Sequence, residues 1–174
     1  NKTSDFENLG SKLFSFFAEN KIRNIFLNSN IQKITELQVE RILHGATLKS
    51  YSFEVYKTKK NEKELTNIYL FGHNKNNKLK RRLDALTAGI ILTRDLVSEP
   101  GNILHPDEYT KRILKLKKFG IKVTVYDKKK LKKMGCGALL GVGQGSIRGS
   151  YIVTMEWNGA SPKSKPLAFV GKGV

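Results

Sequence analysis

At 174 residues, of which 39% are apolar, the chain is long enough for one domain with a hydrophobic core or for parts of two, and its composition excludes an intrinsically disordered protein. Thirty-two lysines and arginines against fifteen acidic residues give a net charge of +17, which raises nucleic acid and anionic membrane surfaces as partners. Lysine outnumbers arginine heavily and asparagine is abundant, so a compositional bias over solvated faces is the favoured alternative.

The cysteine content and the apolar runs indicate the compartment. Cys136 is the single cysteine, which excludes an intramolecular disulfide, fits a reducing environment and is most simply a small buried side chain. No apolar run approaches the roughly 20 residues of a membrane span, and no signal-peptide pattern is present. We therefore expect a cytoplasmic protein with no membrane partner.

The first part of the chain alternates amphipathic helices with short apolar strands. The first helix has apolar residues at helical spacing, namely Phe6, Leu9, Leu13, Phe16 and Phe17. Thr35 is placed to cap the second helix. The predicted elements are a helix over 5–20, a strand over 24–28, a helix over 35–53 and a strand over 66–72. This alternation predicts an α/β fold with a largely parallel sheet.

A long helix is predicted over 76–97, because its apolar spacing is unbroken between a polar stretch and the turn residues "EPGN". Such a helix can connect two packed units. Downstream, the pattern predicts a helix from Pro106 to about Phe119, a strand over 120–127, a basic helix ended by Gly135, a glycine-rich loop over 135–146, and strands over 151–157 and 167–170.

The glycine-rich loop does not fit a nucleotide-binding motif. Gly135, Gly137 and Gly141 are one residue off the dinucleotide fingerprint, and the loop follows a helix where that site requires a strand. Lys172 between Gly171 and Gly173 makes no Walker pattern either. Glycines that permit close backbone packing or tight turns are the favoured interpretation.

The residues alone predict no catalytic or metal-binding cluster. His44, His73 and His105 lie far apart and in no metal-binding spacing, so we interpret them as surface or core-edge residues. Carboxylates are sparse, and Cys136 has no placed histidine partner. The basic segment over 111–133 is best interpreted as the solvated face of an amphipathic helix, since no exposed aromatics or nucleic-acid module are apparent there.

In order along the chain, "RDLVSEPGNILHPDEY", "LKKMGCGALLGVGQGS", "YIVTMEWNG" and "LAFVGKGV" resemble the leucyl aminopeptidase (cytosol aminopeptidase) family of dinuclear metallopeptidases. The resemblance in order and spacing covers about residues 77–174. It implies an α/β fold composed of the later portion of an N-terminal domain (1–75), a connecting helix (76–97) and the start of a catalytic domain (98–174).

The resemblance also implies the chemistry. Members of this family release N-terminal residues from peptides with a free N-terminus, using two divalent metal ions, manganese or zinc, that activate water and polarise the scissile carbonyl. The family is hexameric, so we expect a homo-hexamer. In the family, the lysine of V-G-K-G is a ligand of one metal, and that role carries over to Lys172 alone.

The same resemblance places the other ligands and the catalytic residues after this motif, so no catalytic residue is expected within the chain. We expect the 174-residue chain to be inactive alone. An ammonium has no lone pair, so Lys172 must coordinate as a neutral amine and is an ordinary charged amine without metals. The alternative function is a basic nucleic-acid-binding module, or DNA binding as a second function, because some relatives bind DNA.

Overall fold

The computed structural model of the chain describes residues 3–32, 34–59, 67–72, 77–161 and 164–173. The chain divides into two compact units, Asn1–Ser98 and Glu99–Val174. Both units combine helices with a two-stranded sheet, which confirms the α/β class. Within the described ranges, the helices are too short or too polar to cross a membrane.

The first unit contains the elements predicted for it and one short helix that was not predicted, over Ser29–Gln32. They are α1 (Thr3–Glu19), β1 (Asn24–Asn28), α2 (Ser29–Gln32), α3 (Glu36–Ser50), β2 (Asn67–Phe71) and α4 (Asn77–Ser98). The strands β1 and β2 pair in parallel, from Asn24 opposite Asn67 to Asn28 opposite Phe71. Thr35 caps α3 as predicted, since its side chain accepts from the backbone N of Gln38 while the Gln38 side chain accepts from the backbone N of Thr35.

The helices α1 and α3 approach each other closely because each has a glycine at the contact. A Cβ atom added to Gly10 would collide with the carbonyl oxygen of Ile42, and one added to Gly45 would collide with that of Glu7. The apolar side chains of α3 at this level, Val39, Ile42 and Ala46, form the core of the unit. The absence of a side chain at these two glycines therefore allows the backbones of α1 and α3 to approach each other closely.

The helix α4 is continuous from Asn77 to Ser98, which confirms the predicted long helix. Leu83 is buried on its inner face, and Thr87 lies 2.9 Å (Oγ1 to Nδ1) from the ring of His44 on α3. His44 is thus a buried, hydrogen-bonded core histidine, more deeply placed than the surface or core-edge position that the sequence analysis expected. His73 lies outside the described residues.

The second unit has a core of Leu104, Ile113, Val123 and Leu131. Its elements are α5 (Pro106–Leu114) with a 3-10 turn (Lys115–Phe119), β3 (Lys122–Tyr126), α6 (Lys128–Lys133), α7 (Gly137–Val142) and β4 (Ile152–Glu156). Gly120 and Gly135 have φ of 83° and 71°, a left-handed backbone that glycine adopts without strain, and they end the 3-10 turn and the α6 segment.

This unit differs from the parallel sheet predicted for the first part of the chain, and from two predictions for its own elements. The strands β3 and β4 are antiparallel, with Thr124 opposite Thr154, because alternation of helices and strands along a chain does not by itself fix strand direction. The predicted glycine-rich loop contains a helical turn, α7. Good helix formers at 138–140 separate its glycines, which accounts for the helix.

The third difference is the predicted buried strand over 167–170, which is wrong for this structure. The segment has no strand conformation, and Phe169 and Val170 are 94% and 100% exposed. A strand exists only where a neighbouring strand supplies the other half of its backbone hydrogen bonds. No such neighbour is paired with it among the residues that the structure describes.

Candidate functional site

The structure places Lys172 in the exposed segment 164–173 of the second unit. Within the described ranges, no hydrogen bond or ion pair involves its amine. The nitrogen is therefore exposed to solvent. The backbone that follows Lys172 has little space around it. A Cβ atom added to Gly173 would collide with Cε1 of Tyr109 and lie 3.0 Å from Cδ1, whereas one added to Gly171 would meet open space.

Tyr109 belongs to the first turns of α5, which begin in a well-defined way. His105 is the N-cap, with extended backbone, and its Nδ1 accepts from the backbone N of Glu108 at 3.4 Å. Pro106 occupies the first helical position, as predicted, because it needs no hydrogen-bond acceptor there. The backbone N of Tyr109 donates to the carbonyl of His105 at 2.8 Å. His105 is therefore a structural cap in this unit.

Asp107 ties the same turn to the segment before β4. Its Oδ1 accepts from the hydroxyl of Tyr151 at 2.7 Å and from the backbone N of Gly149 at 3.3 Å. The bond from Tyr151 is the main cause that lowers the pKa of Asp107, assisted by Gly149, His105 and Arg148. The same bond to a carboxylate raises the pKa of the Tyr151 hydroxyl. Both shifts favour the charged Asp107 and the neutral Tyr151.

Arg112 joins the far side of α5 to the start of the unit. Its Nη1 lies 2.8 Å from Oε1 of Glu99, and its Nε lies 3.3 Å from Oε1 of Glu108. The bond to Glu99 is the main cause that raises the pKa of Arg112, although partial burial opposes it. These ion pairs hold the beginning of the second unit against α5.

The described residues contain no group of three or more His, Cys, Asp or Glu that could hold a metal ion. Lys172 is therefore one accessible candidate ligand. No cluster of further metal ligands accompanies it among the described residues. Cys136 is half-buried at the start of α7, and its side chain makes no capping bond. Among the other sequence candidates, His44 is a core residue and His105 is a helix cap.

The basic segment adopts the amphipathic form that the sequence predicts. In α6, Leu131 is completely buried, while the five lysines at 128–130, 132 and 133 are exposed. However, the same unit also has two exposed aromatic side chains. Phe119 ends the 3-10 turn, and the ring of Trp157 lies 3.4 Å from where a Cβ of Gly120 would stand. The proximity of Trp157 to Gly120 was not predicted from the sequence.

Tyr109, Asp107 and Tyr151 were not recognised as site residues from the sequence. Their contacts join residues more than 40 positions apart, which periodicity and local motifs do not report. The one local signal was the "HPDEY" start of α5, whose proline and cap position fixed the beginning of the helix but not its partners.

Comparisons with known proteins extend this description. The catalytic-domain model of the cytosol aminopeptidase family matches residues 91–174. A probable cytosol aminopeptidase of Phytoplasma mali (strain AT) is 44% identical over 149 residues, covering 81% of this chain and 30% of that protein. The chain thus spans about a third or less of the length of the curated relatives it matches.

Two solved structures share the fold. A mutant of tomato leucine aminopeptidase has a TM-score of 0.75 at 20% identity, covering 89% of this chain and 33% of that one. The bottromycin maturation enzyme BotP in complex with Mn has a TM-score of 0.70 at 19% identity, covering 88% and 33%. Sequence and fold agree, and the chain belongs to the cytosol aminopeptidase family.

Proposed function

We propose that the chain is part of a metal-dependent aminopeptidase that releases N-terminal residues from peptides with a free N-terminus. The family match over residues 91–174, which includes Lys172, supports this function. In this proposal, residues 1–75 are the later portion of an N-terminal domain, 76–97 a connecting helix and 98–174 the start of the catalytic domain. The intact enzyme is a cytoplasmic homo-hexamer.

Lys172 is the residue of this chain that would hold a metal. The single observation that carries this assignment is its exposed amine, which lies in the matched family segment and has no protein partner within the described ranges. Its nitrogen would bind one of two divalent ions as a neutral amine, since only that form has a lone pair. When bound, two such ions supply Lewis-acid activation of water and of the scissile carbonyl.

The metal is manganese or zinc in this proposal. The presence of Mn in the similarly folded BotP makes manganese the first probe to use. One amine cannot hold two ions, and no further ligand cluster occurs in the described parts of the chain. In this proposal the catalytic residues lie in other parts of the enzyme, as the family resemblance implies, and the 174-residue chain is inactive alone.

The experiment that tests the function uses the full-length enzyme. It should hydrolyse leucine amide but not N-acetyl-leucine amide, because the substrate's amine must be free. Removal of metal by a chelator should abolish turnover, and Mn²⁺ or Zn²⁺ should restore it. Equal turnover of the acetylated compound, or full activity after verified metal removal, would overturn the proposal.

A second candidate function is nucleic-acid binding, which the basic surface of the second unit favours. Residues 99–174 contain fifteen lysines and arginines against five acidic residues, a net charge of +10. The exposed lysines of α6 lie in the same unit as the exposed rings of Phe119 and Trp157. Lysines attract phosphates with little sequence preference, and aromatic faces stack on unpaired bases.

A salt titration of DNA binding tests this second function. Replacing Lys128, Lys129 and Lys132 by glutamine should reduce the magnitude of the negative slope of log K against log salt by about 2–3. Each phosphate contact contributes about 0.9 to that magnitude. The matched control replaces three exposed lysines of the first unit, Lys49, Lys57 and Lys59, and should leave the slope unchanged. Binding that stays constant across salt concentrations would exclude the proposed mode.

A further inference from the structure

We propose that Tyr109 is a positioning residue for Lys172, acting through the backbone of Gly173. This inference rests on the proposed metal-binding role of Lys172 and adds a residue to it. Tyr109 touches no reacting atom in this scheme. Its ring limits where the chain beside the metal ligand can lie.

The contact between Tyr109 and Gly173 is unusually close. A Cβ atom at Gly173 would collide with Cε1 of the ring, lie 3.0 Å from Cδ1 and 3.4 Å from Cζ. The ring therefore covers the space that any other residue would need at this position. Gly171, on the other side of Lys172, has nothing within 4 Å of the corresponding point. The segment is restrained on one side of Lys172 only.

The ring of Tyr109 belongs to a helix, α5, that is held in place at several points. Tyr109 follows the His105 cap by one turn, and its neighbours Thr110 and Ile113 are buried. Asp107 in the same turn holds Tyr151 and Gly149 through its Oδ1. Helix α5 is thus fixed at its cap, at its buried face and at Asp107, so the ring is held where it meets Gly173.

A ligand that is already held near its bound position binds a metal more tightly, because less conformational freedom is lost on binding. Gly173 is the next residue after Lys172, about 3.8 Å away along the chain. Restricting Gly173 therefore restricts the base of the Lys172 side chain. Residues that support a metal ligand typically change affinity by about 10–100-fold when they are altered.

The test measures Mn²⁺ binding to the metal-free full-length enzyme by titration calorimetry, with Mn²⁺ alone as the probe. Tyr109→Ala should weaken binding about 10-fold or more. Tyr109→Phe should bind like the wild type, since it keeps the ring and no described group bonds to the hydroxyl. Gly173→Ala should also weaken binding, whereas the matched control Gly145→Ala, whose Cβ would meet nothing within 4 Å, should not.

The double variant Tyr109→Ala with Gly173→Ala tests the contact itself. If the ring is what an alanine at 173 collides with, Gly173→Ala should cost less in the Tyr109→Ala background than in the wild type. Strictly additive losses would overturn the inference. Thermal unfolding identifies any variant that fails to fold, and Tyr109→Leu then replaces Tyr109→Ala, with the same loss expected.

The failure of this inference can be distinguished from the failure of the proposed function. If Lys172→Met loses Mn²⁺ while Tyr109→Ala and Gly173→Ala bind it like the wild type, Tyr109 is not a positioning residue and the metal role stands. If Lys172→Met keeps its full Mn²⁺ content and affinity, the proposed role of Lys172 is wrong, and this inference is overturned with it.

Discussion

The hydroxyl of Tyr151 donates a hydrogen bond of 2.7 Å to Oδ1 of Asp107, joining the segment before β4 to the first turn of α5. The backbone N of Gly149 donates to the same oxygen at 3.3 Å. This carboxylate therefore fixes the end of the glycine-rich region against the turn that carries Tyr109. The bond also makes the stability of the second unit depend on pH.

The first prediction concerns Tyr151→Phe. A hydrogen bond to a charged group contributes about 1.5–3 kcal/mol, so the free energy of unfolding at pH 7 should fall by about that amount. The folded-state pKa of Asp107 is lowered, so the contribution is present above about pH 4 and is lost as pH falls through the folded value. The difference between wild type and variant should therefore shrink toward pH 2.

At alkaline pH the stabilisation from this hydrogen bond is lost as the pH rises, not as it falls. The pKa of Tyr151 is raised in the folded state, so its contribution is fully present below about pH 10 and is lost at higher pH. Denaturant unfolding at a series of pH values checks both limbs. Asp84→Asn is the control, because Asp84 is an exposed carboxylate paired with Lys80, and such pairs contribute about 0–1 kcal/mol. A constant gap between wild type and Tyr151→Phe from pH 7 to 2 would contradict the account.

The second prediction concerns the close contact of α1 and α3. Gly10→Ala and Gly45→Ala should each lower the free energy of unfolding by about 1–3 kcal/mol or more, since the new methyl group meets backbone atoms that cannot move aside. Gly89→Ala in α4 is the matched control, because nothing lies within 4 Å of its added Cβ. It should stabilise the protein by about 0.5–1 kcal/mol through helix propensity. Similar effects at all three positions would refute the packing.

The third prediction concerns the cap of α3. Thr35→Ala removes the acceptor for the backbone N of Gln38, and helix caps of this kind contribute about 1 kcal/mol. Denaturant unfolding should show this loss. Thr58→Ala, at an exposed position outside the helices, should leave stability within about 0.5 kcal/mol of the wild type. If both substitutions behave alike, the capping box has no energetic role.

Local patterns predicted the elements whose causes are local. Thr35 with Gln38 identified the start of α3, and the unbroken apolar spacing over 77–97 identified α4. The direction of β4 and the absence of a strand at 167–170 depend on which strands meet in space, and no local pattern contains that information. The Gly10 and Gly45 contacts likewise become visible only when the two helices are paired.

The residues of the candidate site also differ in whether the sequence alone identified them. Lys172 was identified through the short V-G-K-G motif, to which the family resemblance assigns a metal-binding lysine. Tyr109 lies 64 residues before Gly173, and nothing in the composition of either segment indicates that they meet. Its identification required the fold of the second unit.

The fourth prediction is that the purified 174-residue chain does not hydrolyse leucine amide, with or without added Mn²⁺ or Zn²⁺. Its described residues provide one lysine in the matched V-G-K-G motif, Lys172, and no cluster of His, Cys, Asp or Glu that could hold a metal. The exposed Leu167, Phe169 and Val170 should also promote self-association, detectable by sedimentation. Metal-dependent turnover by the chain, in a preparation free of host peptidases, would show that the ligand assignment is incomplete.

The most direct test of the central claim is the substitution Lys172→Met in the full-length enzyme, with metal content and turnover of leucine amide measured on the same preparation. Lys165→Met is the matched control, since Lys165 is an exposed lysine of the same segment. The account predicts that Lys172→Met loses at least one metal equivalent per site and at least about 100-fold in turnover, the upper end for residues that only support a ligand. Unchanged metal content together with unchanged turnover would contradict it.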